Sequence, residues 1–129
     1  MRYLGIDYGT KNVGLALSDE NGKFAFAYGV LVNSKNLVND IRSIADKEKV
    51  EGIVVGESKN YGGQDNDVMV EARVFVSSLQ EICGCPIFYE PEFYTTREAE
   101  RLIGKDADLD ARAAAIILKS YLDKQNVKR

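Results

Sequence analysis

The first 32 residues constrain the fold most: three runs of strand character separated only by tight-turn signals, followed by a switch to helical periodicity. Residues 2–7 (Arg-Tyr-Leu-Gly-Ile-Asp) read as a first strand ending in Asp7. Tyr8-Gly9-Thr10-Lys11 reads as a tight turn, with Gly9 available for positive φ. Asn12 to Ser18 places Val13, Leu15 and Leu17 on one strand face. Asp19-Glu20-Asn21-Gly22 is a hairpin signal, because Asn-Gly favours a type I′ turn. Phe24 to Val32 is the third strand of this antiparallel meander.

Beyond Val32 the apolar spacing becomes helical. Ser34 suits an N-cap for a helix to about Glu48, with Leu37, Ile41, Ile44 and Ala45 at helical intervals. Ile53-Val54-Val55 suits a buried parallel strand, and a polar loop follows to Asn66. A second helix from Asp67 to about Cys83 turns Val68, Ala72, Phe75, Val76, Leu79 and Ile82 inward. Pro86 to Glu90 is a fifth strand, and Thr95-Thr96-Arg97-Glu98 opens a short helix as a capping box. The last helix spans Asp110 to about Lys124, and its Ala111–Ala115 run suits close packing. This order predicts an α/β fold: a mixed five-stranded sheet, three antiparallel N-terminal strands and then parallel ones, flanked by helices. One domain over residues 1–124 and a polar tail over 125–129 are expected.

Composition narrows the chemistry. The chain has no histidine, which excludes a Ser-His-Asp triad and a His-ligated metal. Its 17 Lys and Arg against 20 Asp and Glu give a net charge of −3, so any nucleic-acid contact must come from a local basic patch. No apolar run approaches the roughly 18 residues of a membrane span, and a cytoplasmic protein without membrane contact is expected. Cys83-Gly84-Cys85 matches neither a redox Cys-x-x-Cys nor half of a zinc site; two reduced structural cysteines at a helix-to-strand turn are expected.

Ligands of such sheets sit outside the carboxyl ends of parallel strands. Asp7 ends the first strand, Glu92 follows the fifth, and Asp110 begins the last helix. Oxygen donors of this kind suit Mg²⁺, and paired ions can promote phosphodiester cleavage. Spacing alone is weak in a chain with 20 acids. Asp7 also reads as an Asx-turn residue, Glu92 as a solvated loop acid and Asp110 as a helix-dipole partner, although Asp108 as N-cap would free Asp110 for the site.

Four segments together carry a resemblance. Tyr3 to Asp19 takes a strand acid into Gly9-Thr10-Lys11 and then Gly14-Leu15-Ala16-Leu17-Ser18-Asp19. Val54-Val55-Gly56 is followed by Asn60-Tyr61-Gly62-Gly63; Glu92 to Ala99 contains Thr95-Thr96; and Asp110 to Leu122 supplies an Asp-x-x-Ala-Ala-x-x-Ile-Leu-x-x-Tyr-Leu-like helix. In that order they resemble the YqgF/RuvX family of the RNase H-like nuclease superfamily. The resemblance implies an RNase H-like fold and a Mg²⁺- (or Mn²⁺-) dependent endonuclease with Asp7, Glu92 and Asp110 as catalytic and metal-binding acids. It implies a nucleic-acid substrate, precursor 16S rRNA or other structured RNA, alternatively branched DNA, with ribosomal or processing proteins as partners. Gly9, Thr10, Lys11, Lys59, Asn60, Arg97, Arg101 and Arg112 are candidate nucleic-acid contacts, with Lys105 on the same basic rim. The chain departs from the family pattern at Pro91, where Glu90 stands beside the usual acid position, at Phe93 and Asn12 in place of Arg, and at Glu57-Ser58 in the turn after the fourth strand. A Holliday-junction resolvase and a non-catalytic interaction domain are the alternatives. An ATP-binding module, suggested by Gly5-Ile6-Asp7-Tyr8-Gly9-Thr10, lacks a second phosphate loop.

Overall fold

In the computed structural model, which describes residues 1–58, 66–91 and 107–127, strand β1 (Tyr3–Asp7) lies at the centre of a five-stranded sheet. Strand β2 (Asn12–Ser18) pairs antiparallel with β1 and β3 (Ala25–Val32) antiparallel with β2, while β4 (Gly52–Glu57) and β5 (Ile87–Pro91) lie parallel to β1 on its other side, in the order β3-β2-β1-β4-β5. This is the mixed sheet expected from the sequence.

Alternation along the strands separates two cores. On one face Leu4, Ile6, Val13, Leu15, Ile53 and Val55 meet helices α1 (Leu37–Lys47) and α2 (Asp67–Ile82) through Leu37, Ile41, Phe75, Val76 and Leu79. On the other, Ala16 and Val54 meet helix α3 (Ala107–Val127) through Ala114, Ile117, Leu118, Tyr121 and Leu122. Each buried Leu or Ile contributes roughly 1.5–3 kcal/mol. Tyr121 anchors the far half of α3, edge-on to Tyr3 at 5.6 Å and stacked on Phe88 at 5.4 Å.

The α3 side of the sheet is paved with small residues, and the helix sits unusually close. A Cβ on Gly5 would lie 2.8 Å from Leu118 Cβ and 3.1 Å from the Ala114 carbonyl oxygen. The alanine run of α3 is therefore a close-packing surface, as its composition suggested.

Several local expectations are corrected. Asn21 does not take the left-handed conformation that a type I′ turn requires; the loop is closed by Gly22 N–H to the Asp19 carbonyl, with Gly22 at φ 68°. Asp19 Oδ1 accepts from the N–H groups of Lys23 and Phe24, and the Phe24 amide above all holds this carboxyl below the usual carboxylate range. Ser18 Oγ accepts from Tyr3 N–H and donates to the Asp19 carbonyl, so the Ser-Asp pair closes the hairpin. Gly9 needs no positive φ; a Cβ there would meet the Asn12 carbonyl oxygen at 2.5 Å. Helix α1 begins at Leu37 instead of just after Ser34, whose Oγ accepts from Asn36 N–H in the turn before it. Met69 is buried on α2, whereas Val68 and Ile82 are half-buried. Helix α3 starts at Ala107, which puts Asp108 inside its first turn and not at the cap. It also runs to Val127, so most of the expected tail is helical. The capping box at Thr95–Glu98 lies outside the described residues.

Cys83 caps α2 and enters the core, and both cysteines are free. Burial pushes both thiols up from their ordinary value. Alkylation of Cys83 by iodoacetamide at neutral pH is therefore expected to be at least about ten-fold slower in the native chain than in urea. Equal rates would contradict its burial. Among the described residues no helix is long and apolar enough to cross a membrane.

Candidate active site

The site begins with the antiparallel ladder between β1 and β2. Asp7, the last residue of β1, pairs directly with Gly14. Residues opposite one another in such a ladder project to the same face. The face is identified by Gly14: a Cβ there would lie 1.9 Å from the Asp110 carbonyl oxygen, 2.4 Å from its carbon and 3.1 Å from Ala111 N. The first turns of α3 thus rest on the bare backbone of Gly14, beside the residue that β1 ends on. Asp7 and Asp110, far apart in sequence, are both half-buried at this point. A glycine inside a strand marks such a close backbone approach. That signal was present in the sequence, where Gly14 counted only as part of a motif.

The turn after Asp7 is held from β3. Asn33 donates from Nδ2 to the Gly9 carbonyl at 2.8 Å, and its N–H donates to the Lys11 carbonyl at 2.8 Å. Thr10 and Lys11 are left exposed on the outer side of this clamp. Tyr8 turns to the other face and packs its ring 5.1 Å from Phe75. Neither Asn33 nor Tyr8 was marked by sequence reasoning, because an isolated Asn after a strand looks like any loop residue.

Other acids near the sheet's carboxyl edge are committed elsewhere. Glu90, the neighbour of the departure at Pro91, is 3% exposed and lies on the α3 face. Its Oε2 accepts from Ser120 Oγ at 2.7 Å and Lys124 Nζ at 2.6 Å, near the opposite end of α3 from Asp110. Glu90 therefore clasps β5 to the helix and does not join Asp7 and Asp110. Lys124→Ala would take the half-exposed counter-charge from that buried carboxylate, at about 1.5–2 kcal/mol. Glu90→Gln, which frees the half-exposed Lys124 to water, is expected to cost less. A denaturant midpoint for each variant checks this order. Glu57 points to the α2 face, where Arg73 Nη2 bonds its Oε2 at 2.8 Å while the guanidinium lies 4.9 Å over the Tyr89 ring.

Arg112 is exposed and borders a shallow depression with Ala27, Tyr28, Gly29 and Ala111, over the edge strand two positions from β1. Glu92, Lys59, Asn60, Arg97, Arg101, Lys105 and Phe93 lie outside the described residues. Among the described residues no group of three or more His, Cys, Asp or Glu could hold a metal. Asp7 and the backbone of Asp110 both lie against Gly14, and carboxylate oxygens are the donor type that hard divalent cations take.

Comparison with known proteins bears on this arrangement. The profile of the family described as RuvX, Holliday junction resolvase, matches residues 1–124. A protein of Nitratidesulfovibrio vulgaris, provisionally named pre-16S rRNA nuclease, is 34% identical over all of this chain and 98% of its own. One of the same name from Caldanaerobacter subterraneus is 35% identical over 97% of this chain and 98% of its own. Among solved structures, Thermus thermophilus RuvC bound to a Holliday junction superposes with a TM-score of 0.64 at 17% identity, covering 98% of this chain and 96% of that one. The fowlpox virus Holliday junction resolvase superposes at 0.56 with 12% identity, covering 96% and 99%. These structures share the fold, and it is the RNase H-like one that the sequence resemblance implied.

Proposed function

The chain belongs to the RuvX family, and from that premise we propose that it is a divalent-metal-dependent endonuclease acting on precursor 16S rRNA. The observation that carries this reading is the contact at Gly14, which sets Asp110 beside Asp7 at the carboxyl end of the central strand. Full-length relatives with names in rRNA processing support the RNA substrate.

Asp7, Asp110 and Glu92 would hold the cation. When bound, it would activate a water for attack at phosphorus and stabilise charge on the leaving oxygen. The chain's own residues do the positioning. The β1–β2 ladder fixes Asp7, and the seat on Gly14 fixes the backbone of Asp110, so neither acid depends on a loop for its place. The Asn33 clamp fixes the backbone of the turn that carries Lys11, whose ammonium would steady a substrate phosphate. Gly9 and Thr10 belong to the same turn and would offer it backbone contacts, and Lys59, Asn60, Arg97, Arg101 and Arg112 are the further nucleic-acid contacts this reading assigns. Lys11→Ala is expected to weaken RNA binding and flatten its salt dependence by about one charge.

Branched DNA is the second reading, favoured by the family's description and by the fold shared with junction resolvases. Incubation with a precursor 16S rRNA fragment and a four-way DNA junction in parallel, with Mg²⁺ or Mn²⁺, separates the two. Cutting of RNA alone supports the first reading, and cutting of the junction alone replaces it with the second.

A further inference from the structure

Directly behind Asp7, on the face of the sheet away from α3, lies an open groove of about 380 Å³. Its floor is Tyr8 against Phe75, with Leu37 beside them, and one wall is Val70 and Val74 of α2. Val70 is 55% exposed and Val74 66%, two largely exposed valines one helical turn apart. The volume falls within the roughly 300–1,000 Å³ of small-molecule sites. Two lysines belong to the groove or to the turn beside it. Lys35 lines it, and Lys11 is joined to it through Asn33, a further lining residue. Both lysines are exposed and make no ion pair among the described residues. Glu71 is the single acid on the rim.

We propose that this groove is a base-binding subsite: it takes one unstacked nucleobase of a single-stranded segment whose phosphates run past Lys35 and Lys11 to the acids. The inference rests on the nuclease reading and deepens it by naming single-stranded nucleic acid as the form bound. Charge and polarity select this occupant. An apolar slot with an aromatic floor accepts the face of any base, and lysines beside it match the phosphate backbone attached to that base. An uncharged protein segment would satisfy the apolar wall equally, but it would leave the two lysines facing no anion. Tyr8 couples the two sites, because it follows Asp7 in the chain and forms the floor of the groove.

The test uses short single-stranded RNAs carrying 2-aminopurine at successive positions, bound in EDTA so that binding is read without turnover. Val74→Glu and Val70→Glu place a negative charge in the groove at exposed positions that the fold does not need. Gln80→Glu, exposed on another side of α2, controls for net charge. One 2-aminopurine position is expected to change its fluorescence on binding to the unaltered protein and to lose that change in the groove variants. Affinity is expected to fall on the order of ten-fold for Val74→Glu and to hold for Gln80→Glu. The proposal is overturned if the unaltered protein binds no single-stranded RNA, or if groove variants bind and report as it does. Cutting with Mg²⁺ separates the two readings. A protein that reads the base but never cuts keeps the groove and loses the nuclease; one that cuts equally well with Val74→Glu keeps the nuclease and loses the groove.

Discussion

Gly14→Ala is expected to lower stability by about 3 kcal/mol or more, a fall in Tm of about 10 °C in a chain of this size. The added methyl would stand 1.9 Å from the Asp110 carbonyl oxygen and 2.4 Å from its carbon. These are backbone atoms, with no rotamer to give way. Helix α3 cannot simply slide along the sheet, because Leu118 is seated over Gly5 and Tyr121 is held between Tyr3 and Phe88. Its first turns must lift, and Asp110 lifts with them. Activity should therefore fall even below the melting transition. Gly29→Ala is the matched control, since a Cβ there meets nothing within 4 Å; it is expected to leave Tm within a few degrees. A thermal melt of both variants reads the difference. If Gly14→Ala melts like the unaltered protein, the close seat of α3 is wrong.

Asp7→Asn is expected to reduce metal-dependent cutting about 10³-fold, the order that several kcal/mol of lost charge stabilisation implies. The amide keeps the shape of the side chain and removes its charge. Asp7 is half-buried at a strand end, and the ladder to Gly14 is made by the backbone, so the fold should persist with Tm within a few degrees. Asp110→Asn should behave alike. Initial rates on the RNA fragment, with circular dichroism as the check on folding, measure this. Full cutting by either variant would remove that acid from the mechanism.

How far the sequence could be read depended on whether a feature was local. The strands were legible because alternation and turn residues are written within a few positions: Val13, Leu15 and Leu17 share a face as their spacing said. The order of the sheet followed from three tightly linked strands and then helix–strand alternation. Asp7 and Asp110 could be singled out as acids at element ends. Their meeting could not, since it depends on Gly14 being bare and on a helix many residues later lying across it. Glu90 shows the same limit in reverse. Next to Pro91 it read as a spare site acid, yet strand alternation turns it toward Ser120 and Lys124, partners that no local pattern names. The hairpin failed for a smaller reason. Asn21-Gly22 was read as a type I′ pair, but the Asp19 carboxylate gathers the amides of Lys23 and Phe24 and favours a different loop.

In the proposed function Asp7 and Asp110, gathered at Gly14, hold a divalent cation. Mn²⁺ titration of isotopically labelled protein tests it most directly, because the ion's paramagnetism broadens only nearby amide resonances. The amides of Asp7, Tyr8, Gly14, Asp110 and Ala111 should broaden first, those of Gly84 and Cys85 at the far edge of the sheet should stay sharp, and Asp7→Asn should abolish the selective loss. Uniform broadening, or selective broadening that survives Asp7→Asn, would contradict the account.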